Sequence, residues 1–350
     1  MRRLYLHIGL GKTGSSALQS WLSINSAELA RQGIVYADLS AAARAGKASS
    51  GNGVQLVNAL RDSDFTEIER LLQTVYFPPG VGETAIISSE LLKDVRPPKL
   101  RELHALFARL EIEPHIVAYV RSVYERLYST WGQRVKNLGH TEPFAEADIA
   151  RGMLTTLAWL RKYQDQFGSA MTVLNYDAPD ADIYQSFATL AGIDTATTTG
   201  IEKRVNRSLS YREQEVQRQL NALHGGDFSA AIARCLIEAD PEKATAVHYD
   251  PELLERTREV CRESIEWINE RFNPVPALVC DLYDTRAGEA LADNTDDILR
   301  TIAQWALTFE PAEAVRASFS EFLQAFAGLY TDLPAATRQA LLDRARAGNL

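Results

Sequence analysis

The sequence predicts an α/β protein: a central parallel sheet flanked by helices, with a large helical addition toward the C-terminus. Three observations predict it. Short, largely apolar runs (Leu4–Gly9, Thr84–Glu90, His115–Val120, Met171–Tyr176) alternate with longer stretches of helical periodicity. Strands apolar on both faces need cover on both, which is the mark of a parallel sheet. After about residue 205 such runs stop and helical patterns take over. The chain has 350 residues, 46% hydrophobic and 24% charged, an ordinary globular composition that suffices for one large domain with additions or for two.

In chain order, Leu4–Gly9 is the first strand, and a helix from about Ser15 to Arg31 follows, closed by Gly33. Ile34–Asp38 is a short strand or extended piece. Ala41–Gly53, rich in Ala, Gly and Ser, reads as a mobile loop before two short helices. Thr84–Glu90, His115–Val120 and Met171–Tyr176 are the later strands, with helices at about Lys99–Leu110, Ser122–Lys136 and Ile149–Phe167 between them. Right-handed crossovers gather the loops after the strands at one edge, where open α/β sheets bind ligands. Helices at Ser210–Leu223, Phe228–Glu238 and Pro251–Phe272 precede a Pro-containing connection, "FNPVPALV", and more helices. The expected division is an α/β core over 1–205, a helical region completing it over 206–275, and a helical extension over 276–350.

The net charge of −9 argues against general nucleic-acid binding, so any anion site must be a local gathering of cations and backbone N–H groups. Three widely spaced cysteines (Cys235, Cys261, Cys280) form no CxxC pair and read as reduced thiols. The first strand starts within about four residues, which leaves no room for a signal peptide, and no apolar run approaches the roughly 18 residues of a membrane span. A cytoplasmic protein is expected, and the sequon Asn206-Arg207-Ser208 carries no weight without a secretory signal.

"LHIGLGKTGSSALQ" is a strand, a glycine-rich turn and a helix start, a unit that offers unpaired N–H groups to an anion. Three readings share that physics. Gly9-x-Gly11-x-x-Gly14 fits a dinucleotide fingerprint with Asp38 on the ribose, yet a lysine within the loop is foreign to it. Gly9 and Gly14 have Walker A spacing, but Ser15 stands where that motif has lysine, and Ser16 keeps the hydroxyl that holds magnesium. The third reading is a 5′-phosphate carrying a transferable group. Lys12 then sits beside the bridging oxygen, and Thr13, Gly14, Ser15 and Ser16 supply N–H and O–H donors without a metal.

This last pattern resembles the 5′-phosphosulfate loop of sulfotransferases that use 3′-phosphoadenosine 5′-phosphosulfate (PAPS). Their loop commonly reads P-K-[ST]-G-[ST]-[ST], and Gly11 replaces its proline here. A second element strengthens the resemblance. In "VAYVRSVYERLYSTWGQRVK", Arg121 ends a strand and Ser129 lies eight residues on. Ser122, Arg126, Ser129, Gln133 and Lys136 recur at helical spacing as one polar face, with Val123, Leu127, Trp131 and Val135 as an apolar stripe. Any amphipathic helix has a polar side. The family, however, binds the nucleotide's 3′-phosphate with an Arg and a Ser at these two positions, although its R-D-P opening is Arg121-Ser122-Val123 here. "WLRKYQDQFGSAMTVLNYD" and "RVNRSLS" are similar to further bacterial members. The likeness covers roughly Leu4–Phe272.

The resemblance implies a P-loop-like sulfotransferase fold and transfer of a sulfuryl group from PAPS, with PAP as product and no metal, to a hydroxyl or amine of a carbohydrate, lipid or small-molecule acceptor. Lys12 meets charge on the bridging oxygen. Glu90 is the preferred base, since it ends a strand where the family places a catalytic His or Glu; partial burial would raise its pKa into a useful range. A helix cap is its ordinary alternative, with Ser88 or Ser89. His7 is the second candidate base, with a hydrogen-bonded core residue as the ordinary alternative, and His140 lies in a loop able to border the acceptor. His104, His115, His224 and His248 show no metal-ligand spacing. Arg207, with Lys203 and Arg204, is either a charged surface loop or a flap over the nucleotide. The aromatics Trp305, Phe309, Phe319, Phe322, Phe326 and Tyr330 are core packing, an acceptor cover or a homodimer face. Two other functions stay open: a P-loop kinase using ATP and magnesium, and a non-catalytic nucleotide binder.

Overall fold

Leu4, Tyr5, Leu6 and His7 are buried on both faces of the first strand, as the unbroken apolar run requires. In the computed structural model the sheet has five parallel strands: β1 Arg2–His7, β2 Ile34–Val35, β3 Thr84–Ser88, β4 Ile112–Val120 and β5 Met171–Asn175. Their order is β2-β3-β1-β4-β5, with β1 central. The helices up to residue 191 are α1 Ser15–Ile24, α2 Ser26–Arg31, α3 Val54–Asp62, α4 Phe65–Leu71, α5 Pro97–Arg109, α6 Val123–Leu138, α7 Glu146–Phe167 and α8 Ile183–Ala191. Beyond it come α9 Tyr211–His224, α10 Ser229–Ala239, α11 Pro251–Phe272, α12 Thr295–Thr308, α13 Arg316–Leu329 and α14 Ala335–Ala347. The structure describes residues 1–37, 50–177, 182–200, 207–243, 247–283 and 294–347. Asp38, most of the Ala41–Gly53 stretch, Lys203 and Arg204 lie outside the described residues.

The chain forms two compact units, each drawn from separate segments. The first is Met1–Arg126, Ile149–Val205 and Arg256–Asp281; the second is Leu127–Asp148, Asn206–Glu255 and Leu282–Leu350. These cuts differ from the boundaries expected at 205 and 275, because α6, α7 and α11 each contribute residues to both units.

The first unit holds the sheet. On one face Tyr5, Ile86, Val117 and Tyr119 pack with Leu18, Trp21 and Leu22 of α1 and Phe187 of α8. The expected single helix over Ser15–Arg31 is two helices. Asn25 breaks it: its amide donates to the Trp21 and Thr199 carbonyls, and its Oδ1 accepts the Thr199 N–H at 2.7 Å. β4 begins earlier than expected and contains Pro114. Pairing with β5 starts only at Ile116, so at Pro114 one side of the strand has no ladder to interrupt. Beside β3, Gly51–Gly53 act in place of a strand. Asn52 accepts the Ser88 N–H and donates to the Ile86 carbonyl, and the Gly53 N–H donates to the Ser88 carbonyl.

The second unit is helical. Its core joins Leu220, Phe228, Ile232, Ile302, Phe322 and Phe326 of α9, α10, α12 and α13. The C-terminal aromatics are therefore part of an internal core: Phe319, Phe322 and Phe326 are buried, and Trp305, Phe309 and Tyr330 pack against them. Ser210 and Glu213 form a reciprocal cap at the start of α9. Among the described residues, no helix is long and apolar enough to cross a membrane.

Candidate functional site

The sheet edge described next belongs to the first unit. β1 and its neighbours β3 and β4 run parallel, so their carboxyl ends deliver three loops to one edge, where the chain's excursions to either side of β1 part. β5 delivers a fourth.

After β1 the chain stays beside β4 for three more residues: the Ile8 and Leu10 N–H groups donate to Val117 and Tyr119, and Gly9 accepts from Tyr119 at 2.6 Å. It then winds through positive φ at Lys12 (69°) and Gly14 (78°) into α1. Thr13 and Ser15 are buried, and both hydroxyls donate inward to the Leu10 carbonyl, at 2.6 and 3.3 Å. This corrects the expectation that those hydroxyls face a phosphate; they close the loop instead. The donors left are the half-buried Ser16 hydroxyl and the backbone amides. Among the described residues, the N–H groups of Thr13, Gly14, Ser15 and Ser16 have no protein partner. Four open amides at a helix N-terminus, behind a left-handed residue, are a fitting cradle for a phosphate oxygen. Gly14 is required twice over, by its φ and because a Cβ there would lie 2.7 Å from the Tyr176 ring and 2.9 Å from Ile183.

β3 stops at Ser88, two residues short of expectation, because Glu90 opens a tight 3₁₀ turn, Glu90–Asp94. The cap of that turn is Ser89, whose Oγ accepts the Leu91 N–H. Glu90 is left half-buried over the glycine loop: a Cβ on Gly11 would sit 3.4 Å from its Oε2, and one on Gly9 3.5 Å from its Cγ. Gly11, with no side chain, leaves this space to the carboxylate.

Arg121 follows β4. Its Nε lies 3.3 Å from Asp177 Oδ1, its guanidinium lies over the Tyr176 ring at 5.3 Å, and its Nη1 reaches the Lys12 carbonyl at 3.5 Å, the outer limit of a hydrogen bond. The first amides of α6 are unlike those of α1. Ser122 N–H donates to Asp177 Oδ2, and the Val123 and Tyr124 N–H groups donate to the Val279 and Cys280 carbonyls of the Pro-containing connection. An anion beside Arg121 meets side-chain charge there rather than a helix N-terminus. Asp177 and Tyr176, which orient Arg121, were not singled out by sequence reasoning. Their signal was position: they directly follow β5, at the same edge.

His7 is fully buried, with Nδ1 2.8 Å from Ser88 Oγ, which also accepts from Gln19. Burial lowers its pKa to about 4, the Gly9 carbonyl offsetting this only in part. It stays neutral at pH 7 beneath the loop and has no exposed surface to offer a substrate. Of the expected polar face, Ser122, just before α6, and Arg126 are buried, Arg126 donating to Thr156, whereas Gln133 is exposed.

Ser129, half-buried on α6, and Arg207 belong to the second unit. Arg207 is committed to structure there. Both terminal nitrogens donate to Glu213, at 2.8 and 3.1 Å, and it also bonds the Leu236 carbonyl. His140, also in that unit, is engaged by Arg134. The three cysteines are free thiols whose pKa values burial pushes up, to about 11 for Cys235 and Cys261. Among the described residues, no cluster of His, Cys, Asp or Glu suits a metal ion.

Comparison with family models, curated proteins and solved structures gives no match to this chain.

Proposed function

We propose that this chain transfers a sulfuryl group from PAPS to an acceptor hydroxyl or amine, on a P-loop-like sulfotransferase fold. One observation carries the reading. The Lys12 loop with its open amides, the Glu90 carboxylate over Gly11, and Arg121 against the Lys12 carbonyl meet at one sheet edge. Such a donor carries anionic groups at both ends of its ribose, and the loop and Arg121 supply two separate anion contacts. The amides of Thr13–Ser16 hold the 5′-phosphate. Arg121, steadied by Asp177 and Tyr176, meets the 3′-phosphate. Glu90 accepts the acceptor's proton as its oxygen or nitrogen bonds to sulfur. Lys12 meets the charge that grows on the oxygen linking sulfur to phosphorus as that bond breaks.

Calorimetry with PAP, with ATP and magnesium, and with NAD tests the reading. PAP is expected to bind at submicromolar concentration without a metal, and Arg121→Ala to weaken it roughly tenfold or more. Glu90→Ala is expected to keep PAP binding and lose transfer. Tighter, magnesium-dependent ATP binding would make the chain a kinase instead. Retained PAP binding with no transfer by the unaltered chain to any acceptor would make it a nucleotide binder.

A further inference from the structure

Glu90 reaches the glycine loop from an element with little hold of its own. The 3₁₀ turn Glu90–Asp94 has five residues, and the hydrogen bonds within such turns are poorly aligned. Side chains supply what the turn lacks. The carbonyls of Glu90, Leu92 and Val95, the last just beyond the turn, each accept from one. Lys93 Nζ donates to Glu90 at 2.9 Å, the Tyr163 hydroxyl to Leu92 at 2.7 Å, and Lys162 Nζ to Val95 at 2.8 Å.

All three donors depend on α7. Tyr163 and Lys162 stand on it, and the Lys93 ammonium lies 5.2 Å from the centroid of its Trp159 ring. Trp159, Lys162 and Tyr163 are spaced i, i+3 and i+4, so a single face of the helix meets the turn. This part of α7 belongs to the first unit, with the sheet edge. Tyr163 is fully buried and stacks on Phe167, which fixes the direction of its hydroxyl. Lys162 is half-buried, and the Val95 carbonyl offsets part of the cost of drying its ammonium. A group that takes a proton during bond formation must be held closely, since a displacement of about 1 Å costs roughly 100-fold in rate.

We propose that this face of α7 holds the Glu90 carboxylate over Gly11, with Tyr163 and Lys162 as positioning residues. The inference rests on the reading of Glu90 as the base, and it gives neither residue a contact with the reacting atoms.

Turnover of PAPS with water as acceptor tests it. The water oxygen bonds to sulfur, a water proton passes to Glu90, and the bond from sulfur to the bridging oxygen breaks, releasing PAP and sulfate. Tyr163→Phe keeps the ring and leaves the Leu92 carbonyl its bond from the Val95 N–H at 3.0 Å, so the variant is expected to fold. Its kcat is expected to fall roughly tenfold or more, with the KM for PAPS and the affinity for PAP unchanged. Hydrogen exchange of the 90–95 amides is expected to quicken in the variant, while that of residues 9–16 stays as it was. Lys162→Met is expected to behave in the same way, and Lys162→Arg, which retains a donor for Val95, to restore kcat. Faster exchange at 90–95 with an unchanged kcat would overturn the proposal, because α7 would then only stabilise the turn. A joint loss of kcat and PAP affinity would overturn it too, since the disturbance would have reached the Lys12 loop. An unaltered chain that binds PAP and turns over no PAPS would instead refute the catalytic reading of Glu90, and the positioning role with it.

Discussion

His7 lies beneath the glycine loop with no access to water, and its burial has a thermodynamic signature. Its pKa is lowered to about 4 in the fold, against about 6.5 in the open chain. Between those values the unfolded chain binds a proton that the native chain refuses. Stability is therefore full above about pH 6.5 and falls as pH drops toward 4, by up to about 1.4 kcal/mol per pH unit for this group. Burial lowers His115, His140, His224 and His248 as well, and they act in the same direction. Urea midpoints measured from pH 7 to pH 4.5 are expected to decline, and His7→Gln to flatten part of that decline. An unchanged slope in the variant would show that the imidazole takes up its proton within the fold. At the same scale, Thr13 and Ser15 spend their hydroxyls on Leu10, which leaves anion binding to the backbone around them and the Ser16 hydroxyl.

At the scale of elements, two helix starts at one sheet edge behave oppositely. α1 begins with open amides, whereas α6 begins with amides occupied by Asp177, Val279 and Cys280. The difference decides which helix can draw in a phosphate by its N-terminus and which only carries a charged side chain there. The end of β3 depends on another tight approach. Gly51 has φ of 77°, and a Cβ on it would fall 2.0 Å from the Ser88 carbonyl oxygen and 2.7 Å from Gln19 Nε2. Gly51→Ala must push the Asn52 clamp away from β3, with an expected loss of roughly 2–4 kcal/mol. Chemical denaturation measures this. Because Ser88 and Gln19 support His7 beneath the glycine loop, the PAP binding proposed above is expected to weaken with it.

At the scale of the whole molecule, each unit has its own core, and the second carries a buried ionic centre. The Arg207 and Glu213 side chains are 6% and 3% exposed, with Lys243 as a second cation at 3.3 Å. Burial alone would raise the Glu213 carboxyl; hydrogen bonds from Arg207 and the Ser210 amide, with the charges of Arg207 and Lys243, outweigh it and hold the pKa below the usual range. Arg207→Met leaves that carboxylate short of its main partner, at an expected cost of roughly 3–5 kcal/mol. Hydrogen exchange should report the loss first in α9 and α10, with β1 and β4 keeping their protection. Equal loss in the strands would mean that the two units unfold as one.

Much of this architecture was legible in the sequence, because the apolar runs at Leu4, Thr84, Ile116 and Met171 have no stable place except between two helical layers. The glycine-rich turn between β1 and α1 and the placement of Arg121 after a strand were legible for the same reason: local spacing and strand polarity determine them. What only the tertiary structure decided depends on partners remote in sequence. Thr199 broke the first long helix at Asn25, Glu213 claimed Arg207, and Asp177 with Val279 and Cys280 closed the start of α6. Glu90 came to rest over Gly11 only because β3 lies beside β1 in the sheet. Periodicity records which face of an element is buried, but the choice among polar partners is made when separate segments meet, and no local pattern encodes that meeting.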